Sequence, residues 1–354
     1  MSEKEIVSKF SKAQDSLVVQ QSDFSLATIA NMVSNDSIDI APHYQRRDRW
    51  KDEKQSALIE SFLLNVPVPP VYLSEDDYGR YSVIDGKQRI TAIFEFLTGK
   101  LKLKGLKEFP HLNGEIFENL PKQLKNVLSV RPFIRVITLL KQSDPDLKYE
   151  VFLRLNTGGE TLKRQEIRNV AYSGPLNDLL LELSENQKLK KKLKITSDKS
   201  TAYRNMDDVE HVLRFFTIHS GWQNMGGVLA DEMDKFMYEN RNEEITRLRD
   251  LFNKTISRCY DFWGDNAFYK PVNNTWRTQL ISPLYDAQMV GASLLSAKQG
   301  TILQDRTAEI LECTRLLYED DAEFVKSVSQ STNNPASIRR RVSTIYNLLV
   351  ELAG

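Results

Sequence analysis

The stretch Tyr81-Ser82-Val83-Ile84-Asp85-Gly86-Lys87-Gln88-Arg89-Ile90-Thr91-Ala92-Ile93-Phe94 reads as a strand, a turn and a helix in direct succession. Tyr81 to Ile84 is a short aromatic and β-branched run, and Asp85-Gly86 is a turn dipeptide. Beyond it, Ile90, Ile93, Phe94 and Leu97 recur on one helical face up to Thr98-Gly99. Gly86 permits a tight turn or the close approach of a ligand. A helix starting there points unpaired N–H groups and the positive end of its dipole over the turn, which makes an anion site. Lys87 and Arg89 add positive charge, Arg89 with a fork suited to phosphate. Asp85, at the end of the strand, can hold a divalent ion or orient a water. On these residues alone the plainer reading is the commoner one: Asp85 N-caps the helix while Lys87 and Arg89 are solvated.

Outward from this centre the first part of the chain alternates strands and helices. Val71 to Leu73 is a strand joined to Tyr81 by the acidic turn Glu75-Asp76-Asp77-Tyr78-Gly79, and Ile38 to Ala41 is another, ended by Pro42. A helix begins at Asp52, carries Leu58, Ile59, Phe62 and Leu63 on one face, and is stopped by Asn65 and Pro67. Phe133 to Leu140 is the next strand. From about Leu147 the periodicity is helical, near 147–156, 163–172, 175–193, 207–219, 227–238, 242–263, 277–297, 301–318, 320–329 and 335–352. The pattern predicts an α+β chain: an N-terminal segment 1–20, a small α/β head at 21–143, and a mostly α-helical body at 144–354, with the boundary near Ser143-Asp144-Pro145.

Composition sets outer limits. The 354 residues are 41% hydrophobic and 27% charged, as expected of a globular protein. The 48 acidic and 48 basic side chains cancel, which argues against a uniformly basic nucleic-acid surface but leaves room for a local patch. No apolar run reaches the roughly 20 residues of a membrane span, and Met1 to Gln20 lacks the apolar core of a signal peptide, so the expected location is cytoplasmic, with no membrane partner. Cys259 and Cys313 form no motif, and His43, His111, His211 and His219 lack metal-ligand spacing.

Three further features bear on function. Tyr44-Gln45-Arg46-Arg47-Asp48-Arg49-Trp50 offers arginines and rings for phosphate or base contact; alternatively the rings pack and the arginines pair with carboxylates. Phe152-Leu153-Arg154-Leu155-Asn156-Thr157-Gly158-Gly159 ends a helix in a glycine turn, which by itself means a C-cap. Lys188, Lys190, Lys191, Lys192 and Lys194 suit nucleic acid, although such a run is more often a solvated helix face.

Taken in order, these features resemble the GmrSD restriction endonuclease N-terminal domain family. The resemblance is carried by Tyr44-Gln45-Arg46 with Trp50, Leu58-Ile59-Glu60-Ser61 with Pro67-Val68-Pro69-Pro70, Val83 to Arg89, and Phe152 to Gly159. It extends through Asp207-Asp208-Val209-Glu210 with Arg214 to Ser331-Thr332 and Arg339-Arg340-Arg341, roughly residues 20–350. It implies a head similar to the ParB and sulfiredoxin fold, with a nucleotide site that binds and hydrolyses nucleoside triphosphates with Mg²⁺ in phage-defence systems acting on DNA. By position, Asp85, Gln88 and Arg89 would be catalytic and Asp85 the metal ligand. Tyr44, Gln45, Arg46, Gly86, Lys87, Arg154, Asn156 and Gly159 would bind the nucleotide. Lys87 departs from the family's glutamine and is read as tolerated. The family's His-Asn-His nuclease domain has no counterpart up to Gly354, so a form lacking it is expected, with DNA and a separately encoded nuclease or effector as partners. The expected function is a nucleotide-hydrolysing regulator of DNA restriction. The alternatives are a non-catalytic, antitoxin-like partner of a separate nuclease, or a ParB-like DNA nickase using Asp85 and Glu166.

Overall fold

The structure, a computed structural model, describes residues 3–40, 50–155, 163–172, 174–197, 199–241, 244–273 and 275–354. The chain divides into two compact units, Met1–Ala171 and Tyr172–Gly354.

The first unit opens with α1 (Glu3–Ser16) and β1 (Val19–Ser25), whose last residue caps α2 (Leu26–Ser34) through a bond from Thr28 N to Ser25 Oγ of 3.1 Å. There follow β2 (Ile38–Asp39), α3 (Asp52–Leu63), β3 (Val71–Asp77), β4 (Arg80–Asp85), α4 (Lys87–Leu97), α5 (Lys122–Val130), β5 (Phe133–Leu139), α6 (Pro145–Leu155) and α7 (Arg164–Ala171). Among the described residues five strands form one mixed sheet in the order β1-β5-β3-β4-β2. The β1–β5 and β3–β4 pairs are antiparallel, and β3–β5 and β2–β4 parallel. Val71, Leu73, Val83, Ile134 and Val136 of the sheet share a core with Leu26 and Ile29 of α2 and Ile90, Ile93 and Phe96 of α4. Each such side chain contributes about 1.5–3 kcal/mol on burial.

Strand β1 starts at Val19, two residues before the expected start of the head at 21, and its polar sequence gave no strand signal. As an edge strand it needs one partner. Its pairing, from Val19 opposite Leu139 to Ser25 opposite Phe133, is reinforced by Arg135, whose Nε and Nη2 each donate to the Asp23 carboxylate at 2.9 Å. The expected boundary near 143 falls within the first unit. Helix α6 is tied to the sheet: Lys148 Nζ donates to the Glu75 carbonyl at 3.1 Å, while Ser143 Oγ accepts from Val18 N at 3.0 Å just before it.

The second unit runs α8 (Pro175–Ser184), α9 (Gln187–Lys192), α10 (Thr201–Arg204), α11 (Asp207–Gly221), α12 (Leu229–Asn240) and α13 (Ile245–Trp263). A hairpin of β6 (Tyr269–Val272) and β7 (Thr275–Leu280) interrupts the helices, before α14 (Ser282–Ser293), α15 (Ala297–Gln304), α16 (Thr307–Asp320), α17 (Ala322–Ser329) and α18 (Pro335–Ala353). The helix expected near 277–297 is therefore corrected: residues 275–280 are strand, and the helix starts at Ser282. The turn carries Asn273 at φ +50°, with Val272 paired to Thr275 across it, between Tyr-, Val-, Thr- and Trp-bearing strands. Helices α11 and α14 are buried nearly all round and form the centre. Gly291 of α14 lets α18 close in, since a Cβ there would lie 3.0 Å from Ile345 Cγ2 and 3.3 Å from Tyr346 N.

Helices α11, α14 and α18 are joined by a buried ion triad. Arg214 Nε and Nη2 donate to the two oxygens of Asp286 at 3.1 and 2.5 Å, and Arg341 Nη2 donates to the same carboxylate at 2.7 Å. Burial opposes ionisation of Asp286, but the two guanidiniums prevail and hold its pKa below the ordinary value. Among the described residues no helix is long and apolar enough to cross a membrane.

Candidate functional site

The strand–turn–helix expected from the sequence is present, with β4 ending at Asp85 and α4 starting at Lys87. Gly86 is the N-cap residue at φ +95°, and a Cβ on it would meet Val71 Cγ2 at 2.8 Å and Arg89 Nη2 at 3.1 Å. The position thus requires glycine for its backbone and for its surroundings. Having no side chain, Gly86 offers no side-chain cap of its own to the first turn of α4.

Asp85 does not cap the helix. Its Oδ2 accepts from Arg89 Nη2 at 2.7 Å, and the same Nη2 donates to the Pro70 carbonyl at 3.1 Å. The pair is asymmetric: the Arg89 side chain is 15% exposed and that of Asp85 45%. Arg89 Nε is buried without a hydrogen-bond partner. Neither reading of the sequence anticipated this arrangement. Arg89 is not solvated, and its fork points inward at a carboxylate and a strand carbonyl. Antiparallel pairing sets Tyr72 opposite Asp85, which brings the entry of β3, and so Pro70, beside the exit of β4. The Pro67-Val68-Pro69-Pro70 run marked this place in the sequence without revealing that its last carbonyl would be an acceptor.

Gln88 is brought to the same end of the sheet. Its Oε1 accepts from Trp50 N at 3.0 Å, and Gln55 Nε2 donates to the Trp50 carbonyl at 3.3 Å. Lys54 Nζ stands 4.6 Å from the centre of the Trp50 ring. The Trp50 ring is half-buried against the core of the first unit. Lys87 is half-buried. Tyr44, Gln45 and Arg46, together with Asn156 and Gly159, lie outside the described residues. Arg154 stands near the end of α6, 82% exposed and ion-paired with Glu150 one turn back. Glu60 of α3, noted in the sequence only as part of Leu58-Ile59-Glu60-Ser61, is buried, and its Oε1 accepts from the amides of Lys107, Glu108 and Phe109 at 2.8, 2.8 and 3.2 Å.

Two candidate roles are changed by burial. Glu166, the second ligand of the nickase reading, is fully buried in α7, where it accepts from Lys163 N at 2.7 Å beside the buried Gln165, Arg168 and Asn169. Among the described residues no three His, Cys, Asp or Glu side chains form a metal cage. A Mg²⁺ ion bound with a nucleotide needs only one or two carboxylates besides phosphate oxygens and waters, and the half-exposed Asp85 fits that donor set.

The lysine run is the other. Lys192 is 2% exposed, its Nζ donating to the Asp265 carbonyl at 2.8 Å and standing 3.9 Å from the Tyr269 ring centre. Burial lowers its pKa to about 8. Lys188 donates to Ser257 Oγ, Lys190 to Glu185 and Lys191 to Asp265. Lys192 is thus buried, whereas Lys191 stays exposed in its ion pair. His211 is buried, its ring nitrogens facing the Asp207 carbonyl and Ser282 Oγ, and burial followed by the Arg214 charge lowers its pKa.

The first unit is thus a mixed-sheet α+β domain that presents an acidic residue and a glycine-led helix N-terminus at one end of its sheet. Comparison with known families makes this specific. Residues 29–173 match the GmrSD restriction endonuclease N-terminal domain, and this stretch is a member of that family. No curated protein and no solved structure matches the chain.

Proposed function

We propose that this chain is the nucleotide-binding and hydrolysing regulatory component of a GmrSD-like DNA restriction system directed against phage, working in the cytoplasm with a nuclease effector. The observation that carries the reading is the half-exposed Asp85 carboxylate, fixed by Arg89 beside the glycine-led N-terminus of α4. The matched family, a restriction endonuclease's N-terminal domain, supports the setting.

In this reading each residue of the site has a distinct role. First-turn amides of α4 and the Lys87 ammonium receive the phosphate chain, because the helix terminus favours negative charge and Gly86 lets it approach. Asp85 accepts a hydrogen bond from the attacking water and turns it toward the terminal phosphorus, where a P–O bond forms as the bond to the leaving diphosphate breaks. A Mg²⁺ ion on Asp85 would supply neutralisation of phosphate charge. Arg89, turned inward, is a positioning residue: it fixes the Asp85 rotamer and ties it to Pro70. Gln88 holds the Trp50 backbone at this end of the sheet. Phosphoryl transfer asks mainly for positioning and charge stabilisation, so a sparse set suffices.

Phosphate release from ATP, GTP, CTP and UTP with Mg²⁺ tests the reading. Asp85→Ala should lower the rate by about 10²-fold or more. Arg89→Lys should retain less than wild type, since a single ammonium cannot reproduce the guanidinium's fixed fork. Release by wild type that Asp85→Ala leaves unchanged would remove Asp85 from the mechanism. Absence of both release and nucleotide binding would favour the non-catalytic partner instead.

A further inference from the structure

The β6–β7 hairpin stands apart from the helices around it in composition and exposure. Residues 266–285 contain no Asp or Glu, in a chain with 48 acidic side chains among 354 residues. Lys270 and Arg277 give the hairpin a net positive charge. On β7, Thr275, Arg277, Thr278 and Gln279 are all exposed, so both faces of the strand reach solvent. Arg277 and Gln279 share one face, and Arg277 Nη2 donates to Gln279 Oε1 at 3.0 Å. Val272 and Asn273 at the tip are exposed as well.

The base, in contrast, is fixed. Phe268 is fully buried, with its ring centre 5.0 Å from that of Tyr285, and its N–H donates to Gln288 Oε1 at 2.7 Å. Ile281 N donates back to the Phe268 carbonyl at 3.1 Å and closes the neck. Asp265, just before the hairpin, is ion-paired with Lys191.

We propose that this hairpin enters a groove of duplex DNA, with Arg277 and Gln279 directed at base edges and Thr275 and Thr278 at the flanking backbone. A two-stranded β-ribbon fits the major groove, about 12 Å wide, whose base edges pair with the forks of Arg at guanine and Gln at adenine. The charge of the ribbon complements phosphate, and its fixed neck limits the ordering cost of binding. The inference supplies the DNA contact that the restriction reading leaves unassigned and does not depend on hydrolysis at Asp85.

Fluorescence anisotropy of the full chain with a labelled random-sequence duplex, without nucleotide and over a potassium chloride series, tests it. Arg277→Ala should weaken binding tenfold or more at low salt and reduce the salt slope by about one ion. Gln279→Ala should leave that slope intact and narrow the spread of affinities among defined duplexes. Asp85→Ala should bind DNA like wild type, and Arg277→Ala should release phosphate like wild type, so the two proposals fail separately. Circular dichroism checks that each variant is folded. The proposal is overturned if wild type does not bind duplex at low salt, if Arg277→Ala binds equally well, or if single strands bind more tightly than duplex.

Discussion

Asp85 and Arg89 are four residues apart, a separation at which side chains on a helix meet, yet Asp85 belongs to the strand and Arg89 to the helix. Their 2.7 Å contact depends on the turn at Gly86, which swings the first helical turn back over the strand end. The residue types and the turn were legible in the sequence; the inward direction of Arg89 was not, because its second acceptor, the Pro70 carbonyl, arrives through sheet pairing. Gly86→Ala tests how tightly this is built. Left-handed backbone costs a non-glycine residue about 1–2 kcal/mol. The 2.8 Å approach of Val71 adds to that and presses on Arg89. Urea unfolding should show a lower midpoint and phosphate release should fall with it; an unchanged midpoint would mean the turn adapts freely.

At the scale of elements, apolar periodicity located α3, β3, β4, α4 and β5, because each buries a face in the core of the first unit. It missed β1, an edge strand of mostly exposed polar residues, and it read 277–280 as helix because the true helix beginning at Ser282 extends the pattern backward. The lysines of α9 show the same limit. Charge runs are read as solvated by default, but here the tyrosines of α13 and β6 and the carbonyl of Asp265 receive them. The expected consequence is unequal: Lys191→Ala removes an exposed, solvent-screened ion pair and should leave the urea midpoint nearly unchanged. Lys192→Ala empties a buried site, loses a packed aliphatic stem and should lower the urea midpoint clearly more. Equal effects would show that Lys192 is not what fastens α9.

For each unit as a whole, the sequence announced a sheet-bearing first part and a helical second, but not the network that centres the second. Arg214 and Arg341, read as distant landmarks, meet at Asp286, a residue with no local signal because its partners lie 72 and 55 positions away. Asp286→Asn should destabilise the chain by about 3–5 kcal/mol, since removing one partner leaves buried charge uncompensated; a wild-type denaturation midpoint would refute that. Protonation adds a second handle. His211 has a folded pKa below its unfolded value of about 6.5. Its contribution is therefore complete above that pH and declines as pH falls below it, where the unfolded chain binds the proton and the folded chain does not. His211→Gln should flatten the loss of stability between pH 7 and 5 relative to wild type, and identical slopes would exclude this histidine as a cause.

The pairing of β1 with β5 also bears on how the molecule is made. A ribosome delivers Val19 long before Leu139, its opposite number, an interval on the order of ten seconds at ordinary elongation rates. For that time the nascent strand waits without a ladder. Its Gln20-Gln21-Ser22-Asp23 run, too polar to be recognised as β-structure, is also too polar to pair adventitiously with another chain. The feature that hid the strand from sequence reading protects it until its partner emerges.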